Sequence, residues 1–302
     1  MTAPVLSPTP APAEADAVVA APAASDPATS GARTRRVRHL PSWTLILAVA
    51  VISTVVLWAF LPGVFAPGDP LTGVPAQKLL PPSGEHWFGT DILGRDLFGR
   101  VVHGAVQSLS GALIAVTVGL ALGSLIGVLA GAVGGVLDDV LMRAVDVLLA
   151  IPGLLLSLSV IILLGFGTVN AALAVGLGSV AVFARLMRSE VVRVRRTDYV
   201  EAAFGSGATF FAVLRRHVLP NSLTPVLALA ALQFGSAILA IATLGFLGYG
   251  APPPTPEWGL LIAEGRNYVA TSWWLTALPG LVVVAVVLSA NRISHSLGRR
   301  AS

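Results

Sequence analysis

Asp198-Tyr-Val-Glu-Ala-Ala-Phe-Gly-Ser-Gly-Ala-Thr-Phe-Phe-Ala-Val-Leu-Arg-Arg-His-Val-Leu-Pro220 is a polar island between long apolar runs. Arg193, Arg195 and Arg196 precede it, and Arg215 and Arg216 lie inside it. Glu201, Ala202 and Ala203 lead to Gly207, and Leu219-Pro220 opens the next apolar run. The stretch reads as two short helical pieces hinged at Gly205-Ser206-Gly207, because glycine accepts backbone angles that other residues resist. Such a unit forms a compact knob on the surface of a membrane.

The rest of the chain is built for lipid. Hydrophobic residues make up 55% and charged residues 11%, against about 25% charged in a soluble domain, and the mean hydropathy is +0.83. The fold class is therefore an all-α integral membrane protein. There is no cysteine, which excludes disulfides, thiolate metal sites and cysteine nucleophiles. His39, His86, His103, His217 and His295 are scattered, with no metal-ligand spacing. The sole lysine, Lys78, precedes Leu79, whereas a phosphate-binding P-loop needs Gly-Lys-Ser/Thr. If ATP drives this chain, a partner hydrolyses it.

Residues 1–31 are Ala/Pro-rich with no basic residue, a composition that buries too little to pack and predicts disorder. No charged head precedes an apolar stretch there, so no signal peptide is predicted. Arg33, Arg35, Arg36 and Arg38 follow as a basic stop. Six apolar spans are predicted near 43–62, 105–135, 143–165, 169–187, 222–249 and 272–291, each long enough for a hydrocarbon core about 30 Å thick. Six crossings return both termini to one side. With that side inside, every basic residue except Lys78, Arg95, Arg100 and Arg266 is also inside. Positive loops stay cytoplasmic, so the knob and both termini are expected there. The same clustering argues against nucleic-acid binding.

Gly111, Ala115, Gly119, Gly123, Gly127, Gly131 and Gly135 recur every four residues in the second span. That spacing makes one smooth helix face for close packing in lipid, or a surface on which a neighbour slides. Pro152 is expected to kink the third span by removing a hydrogen bond, with Asp146 at its interface. Outside lie two further segments. His86–Arg100, with Asp91, Arg95 and Asp96 alternating with apolar residues, predicts an amphipathic surface helix in which Asp91 and Arg95 pair. Gly250–Arg266 carries Pro252, Pro253, Pro254 and Pro256, then Trp258-Gly259, and predicts an interfacial re-entrant piece. Trp273 and Trp274 mark an outer boundary, where indole rings favour headgroups.

Taken together, the knob, Gly89-Thr90-Asp91 with Gly94-Arg95-Asp96, Arg100 and Gly104, and Pro253-Pro254-Thr255-Pro256 before Trp258-Gly259 carry a resemblance. The chain resembles, from about residue 40 to 295, the second permease subunit of dipeptide, oligopeptide and nickel ABC importers. The resemblance implies the type I importer permease fold and a bacterial cytoplasmic (inner) membrane location. It also implies a homologous second permease, two ABC ATPase subunits that bind ATP and Mg, and an extracytoplasmic solute-binding protein. No cofactor or metal is expected in this chain, and its remaining contact is with membrane lipid. The knob, near 188–221, becomes the coupling loop: Glu201 orients it, Ala202 and Ala203 pack, Gly207 turns, and Leu219 and Pro220 link it to the fifth span. Asp91, Arg95, Asp96, Trp258 and Gly259 form an outer gate or packing segment, and Gly119, Gly123, Gly127 and Gly131 pack helices.

The implied organisation is a cytoplasmic N-terminus (1–40), a first span with an outer segment (41–104), a permease core (105–295) and a tail (296–302). The chain departs from the family at Trp87, Val106 and Phe204-Gly205, where proline, a basic residue and a basic residue are common. Peptide import is the expected function and nickel or another small solute the alternative. An ion-coupled secondary transporter is disfavoured because the spans are nearly bare of ionisable residues. A non-transporting membrane scaffold would need neither knob nor paired outer segments.

Overall fold

A computed structural model describes residues 42–301; the expectations for the N-terminal segment and its arginines fall outside them. Eleven α-helices follow in order: α1 (Ser42–Phe60), α2 (Pro62–Phe65), α3 (Leu97–Val133), α4 (Gly135–Ala150), α5 (Gly153–Leu164), α6 (Thr168–Arg195), α7 (Asp198–Gly205), α8 (Phe210–Val213), α9 (Leu219–Phe246), α10 (Trp258–Gly265) and α11 (Trp274–Ala301). A π-turn over Leu214–Val218 joins α8 to α9. Among the described residues five helices are long and apolar enough to cross a membrane, and the α4–α5 pair would supply a sixth crossing.

The glycine file of α3 builds the centre of the bundle. A methyl group added at Gly123 would come within 2.6 Å of the Val180 carbonyl oxygen, and one at Gly127 within 2.7 Å of Met187 Cβ. At Gly131 it would meet Val191 at 2.9 Å, and at Gly119 it would collide with the Ser179 hydroxyl. Without side chains on this face the backbones of α3 and α6 approach closely and gain dispersion contact that lipid cannot replace. Position by position, both helices advance in the same direction, from Gly111 beside Thr168 to Gly131 beside Val191. They are parallel, so α4 and α5 must carry the chain back over about 30 Å, the rise of twenty helical residues.

That return is broken rather than kinked. The axes of α4 and α5 differ by 96°. Ile151 is extended, with φ −84° and ψ 126°, because the residue before proline is excluded from the helical region. Pro152 then stands at the N-cap of α5 instead of bending a continuous third span. Proline-driven departure was legible; its size was not. The polar face of α4 is tied to α6 by Asp138 with Arg188 and by Asp146 with Arg185, and Asp146 is exposed as expected for an interfacial residue.

The fourth crossing is longer than its apolar core suggested, since α6 continues through polar residues to Arg195. Around this centre α9 runs antiparallel to α3, with Ile241 against Gly111, and antiparallel to α11, where Ser294 donates to the Ala228 carbonyl at 2.9 Å. Arg292 donates to Thr44 at 3.0 Å. The start of α1 and the end region of α11 therefore share one end of the bundle, as six crossings require.

Candidate functional site

At one end of the bundle α6 overshoots and turns back through α7. Within the turn Gly207 has φ +85°. Its N–H donates to the Phe204 carbonyl at 2.9 Å and that of Ala208 to Ala203 at 3.2 Å, the paired bonds that stop a helix at a left-handed residue. Gly207 thus supplies the predicted turn as a fixed helix stop. Ala203 and Ala208 pack against the apolar cluster beneath.

Val200, Val213 and Val218 anchor the knob; all are buried among Met187, Val191 and Val194 of α6 and Val226 of α9. The signal for them was present in the valine spacing but weaker than that of the polar residues around it. The opposite face points away from the bundle. Glu201 and Ala202 are exposed, Ala203 and Leu219 half-buried, and Pro220 exposed in the first turn of α9. The Glu201 carboxylate has no hydrogen-bond partner among the described residues, so within this chain valines, not Glu201, hold the knob. Tyr199, Phe204, Phe210 and Phe211 add an apolar surface, with Phe211 78% exposed.

The other end is constructed differently. Residues 86–96 form turns rather than the expected amphipathic helix, with Gly89 and Gly94 at φ +74° and +77°. Asp91 accepts from the backbone N–H groups of Leu93 and Arg95 at 2.8 and 3.0 Å, a local closure that competes with helix formation. Asp96 starts α3 by accepting from the Gly99 N–H at 2.6 Å, and also meets His86.

The Asp91–Arg95 pair exists, but buried rather than exposed. Arg95 Nε lies 2.6 Å from Asp91 Oδ2 and Arg100 Nη1 lies 2.9 Å from the same oxygen. Both arginines also reach Glu264 of α10. Arg100 is fully buried, and the four charges balance. Neither Arg100 nor Glu264 was singled out for this role; the clue was a lone carboxylate in the apolar turn Leu260–Gly265.

Trp258 likewise is fully buried rather than interfacial. Its indole N–H donates to the Val101 carbonyl at 3.0 Å, which satisfies the ring's only polar group in the core. Gly259 lies against the Ala242 backbone, where a side chain would collide. Glu257 caps α10, accepting from the Gly259 and Leu260 N–H groups at 2.9 and 3.0 Å. Burial raises its pKa to about 7, outweighing those hydrogen bonds. Trp273 is exposed and Trp274 buried, so only the first occupies the predicted boundary position.

Residues 123–302 match the family of binding-protein-dependent transport system inner membrane components. The chain is 41% identical over 248 residues to the probable D,D-dipeptide transport system permease protein DdpC of Escherichia coli (strain K12), covering 82% of this chain and 83% of that one. It is 38% identical over 252 residues to the dipeptide transport system permease protein DppC of Alkalihalophilus pseudofirmus, with 83% of each chain covered. The glutathione transport system permease protein GsiD of Escherichia coli O157:H7 is 40% identical over 216 residues, covering 72% and 71%. Among solved structures, an inward-facing MetNI methionine ABC transporter chain aligns with TM-score 0.56 at 18% identity, over 67% of this chain and 96% of that one. An amino acid ABC transporter chain aligns at 0.53 and 16%, over 67% and 94%. These two likenesses concern the fold alone, which is that of an ABC importer permease. With the bundle, the knob and the sequence match agreeing, the chain belongs to the binding-protein-dependent transport system inner membrane components.

Proposed function

We propose that this chain is one of two membrane subunits of an ATP-driven peptide importer, and that the 198–220 knob receives the motion of a separate ATPase. One observation carries the reading: an exposed aromatic surface is mounted on buried valines that pack directly against α6 and α9. A patch of that kind, rimmed by polar residues, suits a protein partner. Displacement of the knob would pass through Val200 and Val218 into two spanning helices, since packed interiors transmit strain rather than absorb it. Energy enters because ATP binding favours one arrangement of the assembly over the other. The chain has no Gly-Lys-Ser/Thr loop, which supports a reading in which ATP and Mg are bound by two partner ATPases. A homologous second permease and an extracytoplasmic binding protein complete the assembly.

Arginine placement in the sequence supports a cytoplasmic knob, with both termini on the same side. The outer charge quartet, with Asp96, Trp258 and Gly259, then forms a fixed extracytoplasmic plate above the moving helices. Peptide as cargo is supported by the dipeptide and glutathione transport named for the relatives. The test is uptake of radiolabelled dialanine by cells lacking this chain and by the same cells with it restored. Uptake that disappears and returns supports a peptide importer. Unchanged uptake, in cells with no second peptide importer, would move the cargo to nickel or a longer peptide.

A further inference from the structure

Arg188, Val192, Arg195 and Arg196 follow one another along α6 at the three- and four-residue spacing of neighbours on a helix surface. With Ala130 and Gly131 of α3, the Gly134 link and Asp138 of α4, they line a cavity of about 360 Å³. The three arginines are engaged unequally. Arg188 is matched by Asp138, with Nε and Nη2 at 2.6 and 2.5 Å from the two carboxylate oxygens. Arg195 donates through Nη1 to the Gly131 and Ala132 carbonyls at 2.9 and 2.6 Å, which fixes its position and leaves its charge uncompensated. The Arg196 guanidinium is exposed and has no hydrogen-bond or ion-pair partner among the described residues. Asp139, exposed and outside the lining, also acts on Arg188, and the balance around the cavity stays positive. Arg185 and Arg193, outside the lining, are paired with Asp146 and Glu190.

Depth narrows the choice of ligand. Thr168–Met187, the part of α6 before Arg188, spans about 30 Å at 1.5 Å per residue, the thickness of the hydrocarbon core. Arg188 thus stands at the edge of that core, and Arg195 and Arg196 lie in the headgroup layer. Val136, Leu137 and Val140, next to Asp138 in sequence, are exposed. A helix with one polar face tied down and one apolar face open suits the boundary between headgroups and acyl chains.

We propose that this cavity holds the phosphate of an anionic phospholipid, with Arg196 and the Nη2 of Arg195 as its donors and the acyl chains along the apolar face of α4. The guanidinium fork matches the oxygens of a phosphate, and basic pockets between spanning helices take such headgroups. The bound lipid braces α6 against α4 at the root of the knob, immediately before α7. The site does not depend on the cargo; only its assignment to the cytoplasmic leaflet rests on the orientation proposed above.

The test offers dioleoylphosphatidylglycerol and dioleoylphosphatidylcholine in equal amounts, in mixed micelles, to the full chain purified from membranes, and counts retained lipid by native mass spectrometry. The unaltered chain should keep the phosphatidylglycerol in preference, by about fivefold or more. Arg196→Gln, an exposed change that leaves the fold in place, should lower retained phosphatidylglycerol about fivefold, the factor for one arginine near an anionic headgroup. Phosphatidylcholine should be unaffected. Arg193→Gln makes the same change in net charge outside the cavity and should retain as much lipid as the unaltered chain. Inorganic phosphate in about hundredfold excess should not displace the lipid, because it lacks the chains.

Equal retention of the two lipids, or undiminished retention by Arg196→Gln, would overturn the site. Equal losses in Arg196→Gln and Arg193→Gln would do the same by showing that general surface charge is responsible. Displacement by inorganic phosphate would make the cavity a site for soluble anions and overturn the lipid. Failure of the chain to import dialanine would remove the peptide reading and leave this site standing.

Discussion

The two ends of this bundle are held by opposite means. The end opposite the knob is locked by a buried quartet of charges and a buried tryptophan that join segments more than 150 residues apart, and by a capping carboxylate within its own segment. The inner knob is held by three valines and one glycine stop, with its polar and aromatic groups turned away. Buried ion pairs need several partners in one geometry, so they tolerate little displacement. Valine packing is non-directional and can follow a moving neighbour. The contrast teaches that the two ends differ in how much displacement their contacts tolerate.

Breaking the outer end should therefore break the protein. Arg100→Met leaves Asp91 and Glu264 short of a counter-charge and should cost about 3–5 kcal/mol. A detergent melting curve unchanged by that variant would show that the quartet is not a lock.

Glu257 gives the outer end a pH signature. Its folded pKa of about 7 exceeds the ordinary 4.5, so the folded protein keeps a proton that the unfolded chain releases between those values. Stability from this group is full below about pH 4.5 and is lost as the pH rises to about 7. At 1.36 kcal/mol per pKa unit the loss is about 3 kcal/mol. Melting temperature should fall across that window and do so less steeply in Glu257→Gln; equal slopes would remove Glu257 as the cause.

The inner end should respond in transport more than in stability. Gly207→Trp puts a side chain on a left-handed residue at about 1–2 kcal/mol, yet no atom outside its own turn lies within 4 Å of the added Cβ. The protein should remain in the membrane while ATP hydrolysis proceeds without uptake; normal transport would overturn the role of that turn. Smallest in stability is Glu201→Arg, an exposed change expected within 0.5 kcal/mol. It should nonetheless reduce recovery of the ATPase with the permease, and undiminished co-purification at matched expression would show that docking does not use this residue.

Much of this was legible along the chain because it depends on neighbours in sequence. Apolar runs marked the crossings, four-residue spacing marked the close face of α3, and Gly205-Ser206-Gly207 marked a turn. The knob was found for the same reason: its polarity contrasts with what precedes and follows it. The 86–100 segment was misread, because an alternating Asp/Arg pattern looks amphipathic whether its charges meet water or one another. Only Glu264, far along the chain, distinguishes the two, and Arg100 and Trp258 likewise acquire meaning from partners that spacing cannot show.

What the sequence by itself determined is the medium, the number of crossings and the positions of the basic loops, since burial of apolar length in lipid is a local sum over residues. The tertiary structure alone decided that α3 and α6 lie parallel in contact and that the third crossing breaks by 96°. It also decided that two arginines share two carboxylates in the interior, and that Arg188, Arg195 and Arg196 line one cavity with Asp138. These depend on distances between residues far apart in the chain, and a charge is stabilised or penalised by what stands beside it in space.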